Sequence, residues 1–170
     1  GDKVDADIYN EEAEMEGYIY FDAHIRLLPK KPDGAIDVLH SGFQDNDVDA
    51  FRHAYVSGIF ALEYGDNVAQ LLGWMNEFVF TGSPKETNMD QWNNAIGRKL
   101  GLKYSTKDEL ARAVKSALSH GELIIKLSDR RIYEDASNLK PDESKSVIVL
   151  KKSKSGANKI FFDLNTSEIL

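Results

Sequence analysis

The segment from Asp45 to Arg98 combines the spacing of buried helices with charged and amide side chains. Asp-Ala-Phe-Arg-His-Ala occupies positions 49–54, and Met-Asp-Gln-Trp-Asn-Asn-Ala-Ile-Gly-Arg occupies positions 89–98. A buried polar group without a hydrogen-bond partner costs stability, so such groups are nearly always paired. The fold must therefore bring these side chains together, either as a structural network or as a functional site.

The whole chain has the size and composition of one ordinary domain. Its 170 residues are 42% hydrophobic, which is enough for a single core. The formal charge of −7 produces a field that repels nucleic acid and anionic membranes. No cysteine is present, which excludes disulfides and thiol nucleophiles. Because no apolar run reaches the roughly 18 residues that a membrane-spanning helix needs, we also predict no membrane span.

Apolar periodicity predicts an α+β fold with a mainly helical core of about four helices. The helices are expected at 48–64, 66–80, 89–100 and 106–120. Thr106 and Glu109 have the spacing of a capping box, which marks the start of the last helix. β-branched and aromatic runs then predict a small antiparallel β element at 123–127, 146–150 and 159–164.

The chain is expected to contain one folded domain after a short flexible N-terminal segment. Residues 1–16 are acidic and weakly patterned, and we interpret them as a flexible N-terminus. Residues 17–170 form a single globular domain, with the motif-bearing helical core at 45–122. Residues 18–21 are typical of a strand. A start at Gly1 rather than Met indicates a processed or trimmed chain.

Asp49, Arg52 and His53 form the first candidate site. Spacings of three and four residues place them within reach of one another on a helix. Asp49 could orient His53 and raise its basicity, as in a general base or a metal-ligating imidazole. In the alternative, the same three residues cap the helix and pair with one another as a structural network.

A second candidate cluster lies on the helix predicted at 89–100. Asp90 and Asn94 are one turn apart, and Gly97 on the same side would allow another helix or a ligand to approach closely. Asn93 and Asn94 are poor helix formers, which indicates that their side chains make specific hydrogen bonds. Arg98 completes the cluster. The alternatives are a polar contact between helices and a solvent-exposed face.

Glu77 is the third candidate, near the end of the helix predicted at 66–80. Its own helical pattern is that of an exposed glutamate. If its helix lies between its two neighbours, Glu77 could meet His53 and Asp90 as an acid–base or metal-binding set. The sequence identifies no cofactor, and a divalent metal, if present, would be held by these three residues.

In combination, these motifs resemble a bacterial family of secreted and toxin-like C-terminal domains of poorly defined activity. The family pattern is Asp-Ala-Phe-Arg-His-Ala-Tyr-Trp, later Ala-His-Glu, and then Met-Asp-x-x-Asn-Asn-x-x-Gly-Arg. The resemblance covers roughly residues 45–122. Asn76 stands where the family has His, and Val56 where it has Trp. The missing imidazole weakens the case for zinc in particular.

The resemblance implies a secreted or delivered bacterial effector that hydrolyses a cell-envelope component such as peptidoglycan or lipid. His53, oriented by Asp49, is then the general base, and Glu77 or Asp90 is the acid, its partner or a metal ligand. An anionic or carbonyl group of the substrate would contact arginine. The expected substrate-binding residues are Arg52, Asn93, Asn94 and Arg98.

Two non-enzymatic functions remain open from the sequence. In the first, the polar residues form a closed network in an interaction domain that binds a cognate protein partner. In the second, the chain is an inhibitor that acts through the acidic residues of positions 1–16 or of the 128–145 loop. An accessible concavity beside His53 favours the enzyme, whereas a sealed environment favours the network.

Overall fold

The described residues of the computed structural model form a mainly helical core. They are 3–65 and 83–133, together with 147–150, 160–163 and 168–169. Side chains are described for 11–65 and 83–133. The helix predicted at 66–80 lies outside the described residues.

Helix α1 spans Lys3–His24. Tyr18 and Phe21 are buried on the face that packs against the core. Ala13, nearer the start of the helix, is also buried. The predicted strand at 18–21 is therefore wrong, because a spacing of three places the two aromatic rings on one helical face. The predicted boundary after residue 16 lies within this helix.

Helix α2 spans Asp47–Tyr64 and confirms the helix predicted at 48–64. The side chain of Asn46 caps it by accepting a hydrogen bond from the Asp49 backbone N–H. Gly65, with φ 53°, ends it. Most of this helix is buried, as expected for an element that other helices cover on several sides.

Helix α3 spans Pro84–Lys103, so it extends beyond both ends of the predicted 89–100 segment. Ser83 and Glu86 form a capping box at its start, with Pro84 in the first turn. Ser83 and Pro84 have the composition of a loop. They start a helix here because Glu86, three residues after Ser83, completes the capping box.

Helices α2 and α3 are in direct backbone contact through glycines. A Cβ atom on Gly97 would lie 1.9 Å from the carbonyl oxygen of Ala54, and one on Gly101 would lie 2.1 Å from that of Gly58. No side chain fits at such distances. The prediction that Gly97 permits close approach of a helix is confirmed, and this contact fixes the position of the two motif-bearing segments.

Helix α4 spans Lys107–Ser119 and confirms the helix predicted at 106–120. Thr106 is its N-cap and pairs with Glu109, as the capping-box spacing predicts. Leu110, Val114 and Ala117 are buried at helical spacing against the core.

The strand predicted at 123–127 is absent. Leu123 and Ile124 are buried in irregular structure, and the backbone of Ile124 bonds to the side chain of Asn93 rather than to a strand. A side-chain amide can satisfy both backbone groups of a residue, so the apolar segment needs no sheet. The β element is therefore not confirmed as a unit.

Three short strands follow: β1 at Val147–Leu150, β2 at Ile160–Asp163 and β3 at Glu168–Ile169. β1 pairs antiparallel with β2, with Val147 opposite Asp163, and β2 pairs antiparallel with β3. Among the described helices, none is long and apolar enough to cross a membrane.

Candidate functional site

A cleft of about 350 Å³ opens between α2 and α3. Five carboxylates line it, on Glu14, Asp45, Asp49, Glu86 and Asp90. The remaining lining includes the two basic side chains of Arg52 and His53 and the polar side chains of Ser57 and Asn94. The cleft is thus strongly acidic, and its wall contains motif residues from both helices.

The imidazole of His53 lies at the centre of this cleft. Its Nε2 atom is 3.4 Å from Oδ1 of Asp49 and 3.2 Å from Oδ1 of Asp90. The Arg52 guanidinium is 2.7 Å from the same nitrogen. Because a guanidinium only donates hydrogen bonds, Nε2 accepts from it and His53 is neutral when that bond is present. The side chain is 12% exposed, so the ring borders the cleft.

Asp49 is the buried carboxylate of the site. Its Oδ2 atom accepts a hydrogen bond from the Asp45 backbone N–H at 2.9 Å, and its Oδ1 atom accepts one from Arg52 at 2.7 Å. Burial alone would raise the pKa of Asp49, but the hydrogen bond and charge of His53 in its protonated state, together with the charge of Arg52, lower it below its usual value. Asp49 therefore remains ionised at neutral pH.

Asp90 has the opposite electrostatic environment. Burial raises its pKa to about 6, with a further increase from the charge of Asp49, although the charge of His53 acts in the other direction. Two carboxylates in one site thus have pKa values on opposite sides of the ordinary range, as in acid–base pairs. Asp90 is able to exchange a proton near neutral pH.

Arg52 connects this cluster to α1. Besides Asp49 and His53, it contacts Oε1 of Glu14 at 3.3 Å. Its guanidinium thus has three partners, two of which are carboxylates. The sequence predicts that Arg52 binds the substrate, whereas in the structure its guanidinium already pairs with acidic neighbours.

Asn94 lines the same wall of α3 as Asp90, one turn further along. Its Oδ1 atom accepts a hydrogen bond from Ser57 Oγ at 2.9 Å. The residue is 1% exposed, and its Nδ2 atom has no hydrogen-bond partner among the described residues. A buried amide with an unused donor is costly to a fold, which is typical of a group that meets a ligand.

Two of the expected substrate-binding residues lie away from the cleft. Asn93 is fully buried, and its amide donates to the Ile124 carbonyl at 2.8 Å and accepts from the Ile124 N–H at 2.9 Å. Arg98 is also fully buried and does not line the cleft. Because Asn93 uses both ends of its amide on the backbone, its position supports a structural role. Glu77 lies outside the described residues.

Asp49, His53 and Asp90 are the described group that could hold a metal ion. One ligand atom from each lies within 4.8 Å of the others. The chemistry of an imidazole and two carboxylates suits a divalent ion. However, the Arg52 guanidinium already lies 2.7 Å from both His53 Nε2 and Asp49 Oδ1, where it supplies positive charge to the same two atoms. A metal ion would have to compete with Arg52.

Several cleft residues were missed at the level of sequence. Ser57 follows His53 by one helical turn, a spacing that could have identified it. Glu86 carries the capping-box signal, but nothing in that signal indicates a cleft. Glu14 reaches Arg52 across 38 positions of sequence, and no local pattern could have revealed this contact.

A larger cavity of about 730 Å³ lies between the start of α3 and the 124–133 segment. In this cavity the side chain of Asn88 donates a hydrogen bond to the carbonyl of Arg131 and accepts one from the backbone N–H of Tyr133. Among the described residues, the carboxylate–imidazole group lies in the smaller cleft and not here. The smaller cleft is therefore the candidate site.

The comparison with protein families gives one match. A family model described as "Domain of unknown function (DUF6973)" matches residues 36–122, which is just over half of the 170 residues. The matched segment contains α2, α3 and α4 and every cleft residue except Glu14. No curated protein matches, and no solved structure matches.

Proposed function

This chain belongs to the DUF6973 family, and we propose that it is the hydrolytic domain of a secreted or delivered bacterial effector that acts on a cell-envelope component. One observation carries the hydrolytic part: His53 Nε2 meets the carboxylates of Asp49 and Asp90 beside an accessible cleft of about 350 Å³. The motif resemblance supports delivery and an envelope substrate.

Proton transfer in this reaction is assigned to His53 and Asp90. Their Nε2 and Oδ1 atoms are 3.2 Å apart, so the two groups can share one proton. As water attacks the substrate, its proton passes to this pair, and the same pair returns a proton to the leaving group. Asp49 stabilises the imidazole as it becomes positively charged.

Arg52 has a supporting role in this mechanism. Protonation of His53 at Nε2 breaks the hydrogen bond from Arg52, because that nitrogen can then only donate. Asp49 and Glu14 remain as partners of the guanidinium. The site therefore has two hydrogen-bonding arrangements that differ by one proton.

The alternative is a non-enzymatic interaction domain, and one observation favours it. Arg52, Asp49 and His53 contact one another at 2.7–3.4 Å, as in a closed structural network. In that case the polar residues would maintain the packing of α2 and α3. The accessible cleft beside them supports the enzyme instead.

Hydrolysis is tested with isolated peptidoglycan and with phospholipid vesicles as two separate substrates. The wild-type protein is expected to release soluble products from one of them. Asp90→Asn and His53→Gln are expected to lower the rate by about 10²–10⁴-fold, as for removal of an acid–base group. Asp108→Asn, a change of the same charge on an exposed residue of α4, is the matched control.

Circular dichroism and thermal unfolding separate the two candidate functions. Variants that fold like the wild type but lose hydrolysis support the enzyme. A protein that releases nothing from either substrate contradicts the proposal. A His53→Gln variant that loses stability while hydrolysis per folded molecule persists supports the structural network instead.

A further inference from the structure

The charges of the cleft favour one class of substrate. Among the described residues, five carboxylates line it, whereas Arg52 supplies the one guanidinium and His53 the one imidazole. A cleft lined by charges of one sign concentrates ligands of the opposite sign and repels ligands of the same sign. A phosphate or carboxylate group would thus meet repulsion at this site.

Arg52 does not change this balance, because its charge is already used. It contacts Asp49 at 2.7 Å and Glu14 at 3.3 Å. Two carboxylates share this single positive charge. Three further carboxylates of the cleft, on Asp45, Glu86 and Asp90, have no arginine or lysine partner among the described ion pairs.

Asp45 shows the resulting crowding of negative charge. Burial raises its pKa, and the charges of Glu86 and Asp49 raise it further. Asp45 precedes α2, whereas Glu86 lies in the first turn of α3. The two helix starts thus bring their carboxylates to the same cleft, where a cation would relieve the repulsion between them.

Asn94 provides independent evidence of a ligand. Its side chain lines the cleft and is 1% exposed, and its Nδ2 atom has no hydrogen-bond partner among the described residues. This donor requires an acceptor, such as a carbonyl or hydroxyl oxygen. A ligand that satisfies the cleft therefore combines a cationic group with an oxygen acceptor.

We infer that the substrate of this cleft carries a positively charged amino group, which Asp45 and Glu86 bind, and an oxygen acceptor for Asn94. The inference rests on the proposed function, since it names the substrate class of the same site. A peptide or sugar with a free amine has this chemistry, whereas a phospholipid with an anionic phosphate does not. Asp49, His53 and Asp90 remain available for the reaction.

An ammonium group fits the cleft better than a divalent metal ion does. The atoms best arranged for a metal are those of Asp49, His53 and Asp90, and Arg52 lies 2.7 Å from two of these residues. Asp45 and Glu86 are free of that competition. An ammonium needs only hydrogen-bond acceptors and negative charge, which these two carboxylates supply.

Binding of a matched pair of probes to the full chain tests the inference without measuring activity. The probes are 1,5-diaminopentane, which is a dication at pH 7.5, and 1,5-pentanediol, which has the same length without charge. The readout is the two-dimensional NMR spectrum, in which the side-chain amide of Asn94 gives its own signal. The diamine is expected to shift this signal at millimolar concentration and to bind more tightly than the diol, which offers Asn94 a hydroxyl oxygen but brings no charge to Asp45 and Glu86.

Variants locate the binding groups. Asp45→Asn and Glu86→Gln are each expected to weaken diamine binding by about threefold to tenfold, the effect of losing one partly exposed charge contact. Asp108→Asn is expected to leave binding unchanged, since this exposed residue is paired with Arg112 on α4. Thermal unfolding shows that each variant is folded before it is titrated.

Three outcomes overturn the inference. Equal shifts with the diol show that charge is not recognised, and equal weakening in Asp108→Asn shows that binding is non-specific. Shifts with magnesium chloride but none with the diamine show that the cation is a metal ion. Diamine binding without hydrolysis of any substrate leaves the cation site standing while the proposed function fails, so the two failures can be told apart.

Discussion

At the scale of single residues, one nitrogen atom decides how the site works. Nε2 of His53 has one guanidinium and two carboxylates within 3.4 Å. An unprotonated Nε2 has one lone pair, which accepts from either Arg52 or a protonated Asp90, whereas a protonated Nε2 pairs with ionised carboxylates. The protonation states of His53 and Asp90 are therefore linked.

Asp90 is expected to make stability depend on pH. Its pKa is about 6 in the folded protein and 3.8 in an unfolded chain. A raised pKa stabilises the fold fully below pH 3.8, and this contribution is lost as the pH rises through 6. Asp90→Asn removes the dependence, so the variant should be more stable than the wild type at pH 7.5, by at most about 3 kcal/mol. Urea unfolding at pH 4 and 7.5 measures the difference.

Asp49→Asn is the counterpart with the opposite sign. The pKa of Asp49 is lowered, so its ionised form stabilises the fold above the unfolded pKa, and that contribution is lost as the pH falls through the folded pKa. This variant should lose more than about 1 kcal/mol at pH 7.5. Equal behaviour of the two variants at that pH would contradict the assignment of their roles.

Arg52 is expected to keep divalent cations from binding strongly at His53. With Arg52→Gln, the carboxylates of Asp49 and Asp90 lose a competing positive charge. Manganese chloride should then raise the thermal midpoint of the variant by about 2–4 °C or more, and that of the wild type by less. Arg112→Gln on exposed α4 is the control. A wild-type shift as large as that of Arg52→Gln would show that Arg52 does not compete.

Sequence patterns identified part of this site, and the reason is helical geometry. Spacings of three and four residues predicted that Asp49, Arg52 and His53 would meet, and they do. The same geometry placed Asp90 and Asn94 on one face. It could not show that the neighbouring Asn93 faces the opposite way toward Ile124, because that depends on a segment 31 positions away.

At the scale of helices and their connections, the contact between α2 and α3 is set by backbone atoms. Gly97→Ala places a Cβ atom 1.9 Å from the Ala54 carbonyl oxygen, and the neighbouring atoms are backbone, which cannot rotate away. We expect a loss of at least about 3 kcal/mol in the free energy of unfolding, or no folded protein. Chemical denaturation measures this loss.

Lys99→Ala on the exposed side of α3 is the control for Gly97→Ala. This variant also introduces an alanine into α3, but at an exposed position that does not contact the backbone of α2. It should change stability by less than about 0.5 kcal/mol. If Gly97→Ala were as mild, the close approach of α2 and α3 would be disproved.

Asn93, on α3, is expected to stabilise the position of the segment that follows α4. Asn93→Ala removes two hydrogen bonds to the buried backbone of Ile124, leaving an N–H and a carbonyl without partners. The expected loss is about 2–4 kcal/mol. In the Asn93→Ala variant, the backbone amide hydrogen of Ile124 should exchange faster than the amide hydrogens of α2. Unchanged protection of that amide would contradict the structural role.

Local signals predicted some helix ends, although the capping box of Ser83 and Glu86 at the start of α3 did not lead to a predicted helix start there. The cap at Thr106 and the end at Gly65 follow from side chains within one turn of the helix end. The segment 123–127 has the composition of a strand but does not form one. Composition indicates that a segment is buried, but not which groups its backbone N–H and C=O bind. Only the tertiary position of Asn93 decides that question.

At the scale of the whole molecule, residues 11–16 contribute side chains to the core and the cleft. Glu14 contacts Arg52, Glu16 contacts Tyr55 and Lys107, and Ala13 is buried. A chain that begins at Gly17 loses all of these contacts. We expect its thermal midpoint to fall by about 2–8 °C.

The double variant Glu14→Gln/Glu16→Gln separates charge from packing in this experiment. It keeps Ala13 and the helix but removes both charges, so its midpoint should lie between those of the wild type and the shortened chain. An unchanged midpoint for the shortened chain would support a flexible N-terminus that ends at residue 16.

The glycine contact between α2 and α3 has a consequence for how this family can diversify. Because two backbones touch, we expect the distance between His53 and Asp90 to be insensitive to substitutions of Asp45 and Glu86, which line the cleft from the starts of the two helices. On the proposed function, substitutions at these two positions would change which molecules bind without moving the groups assigned to proton transfer. Single substitutions there would then alter specificity while the proposed proton-transfer pair keeps its spacing.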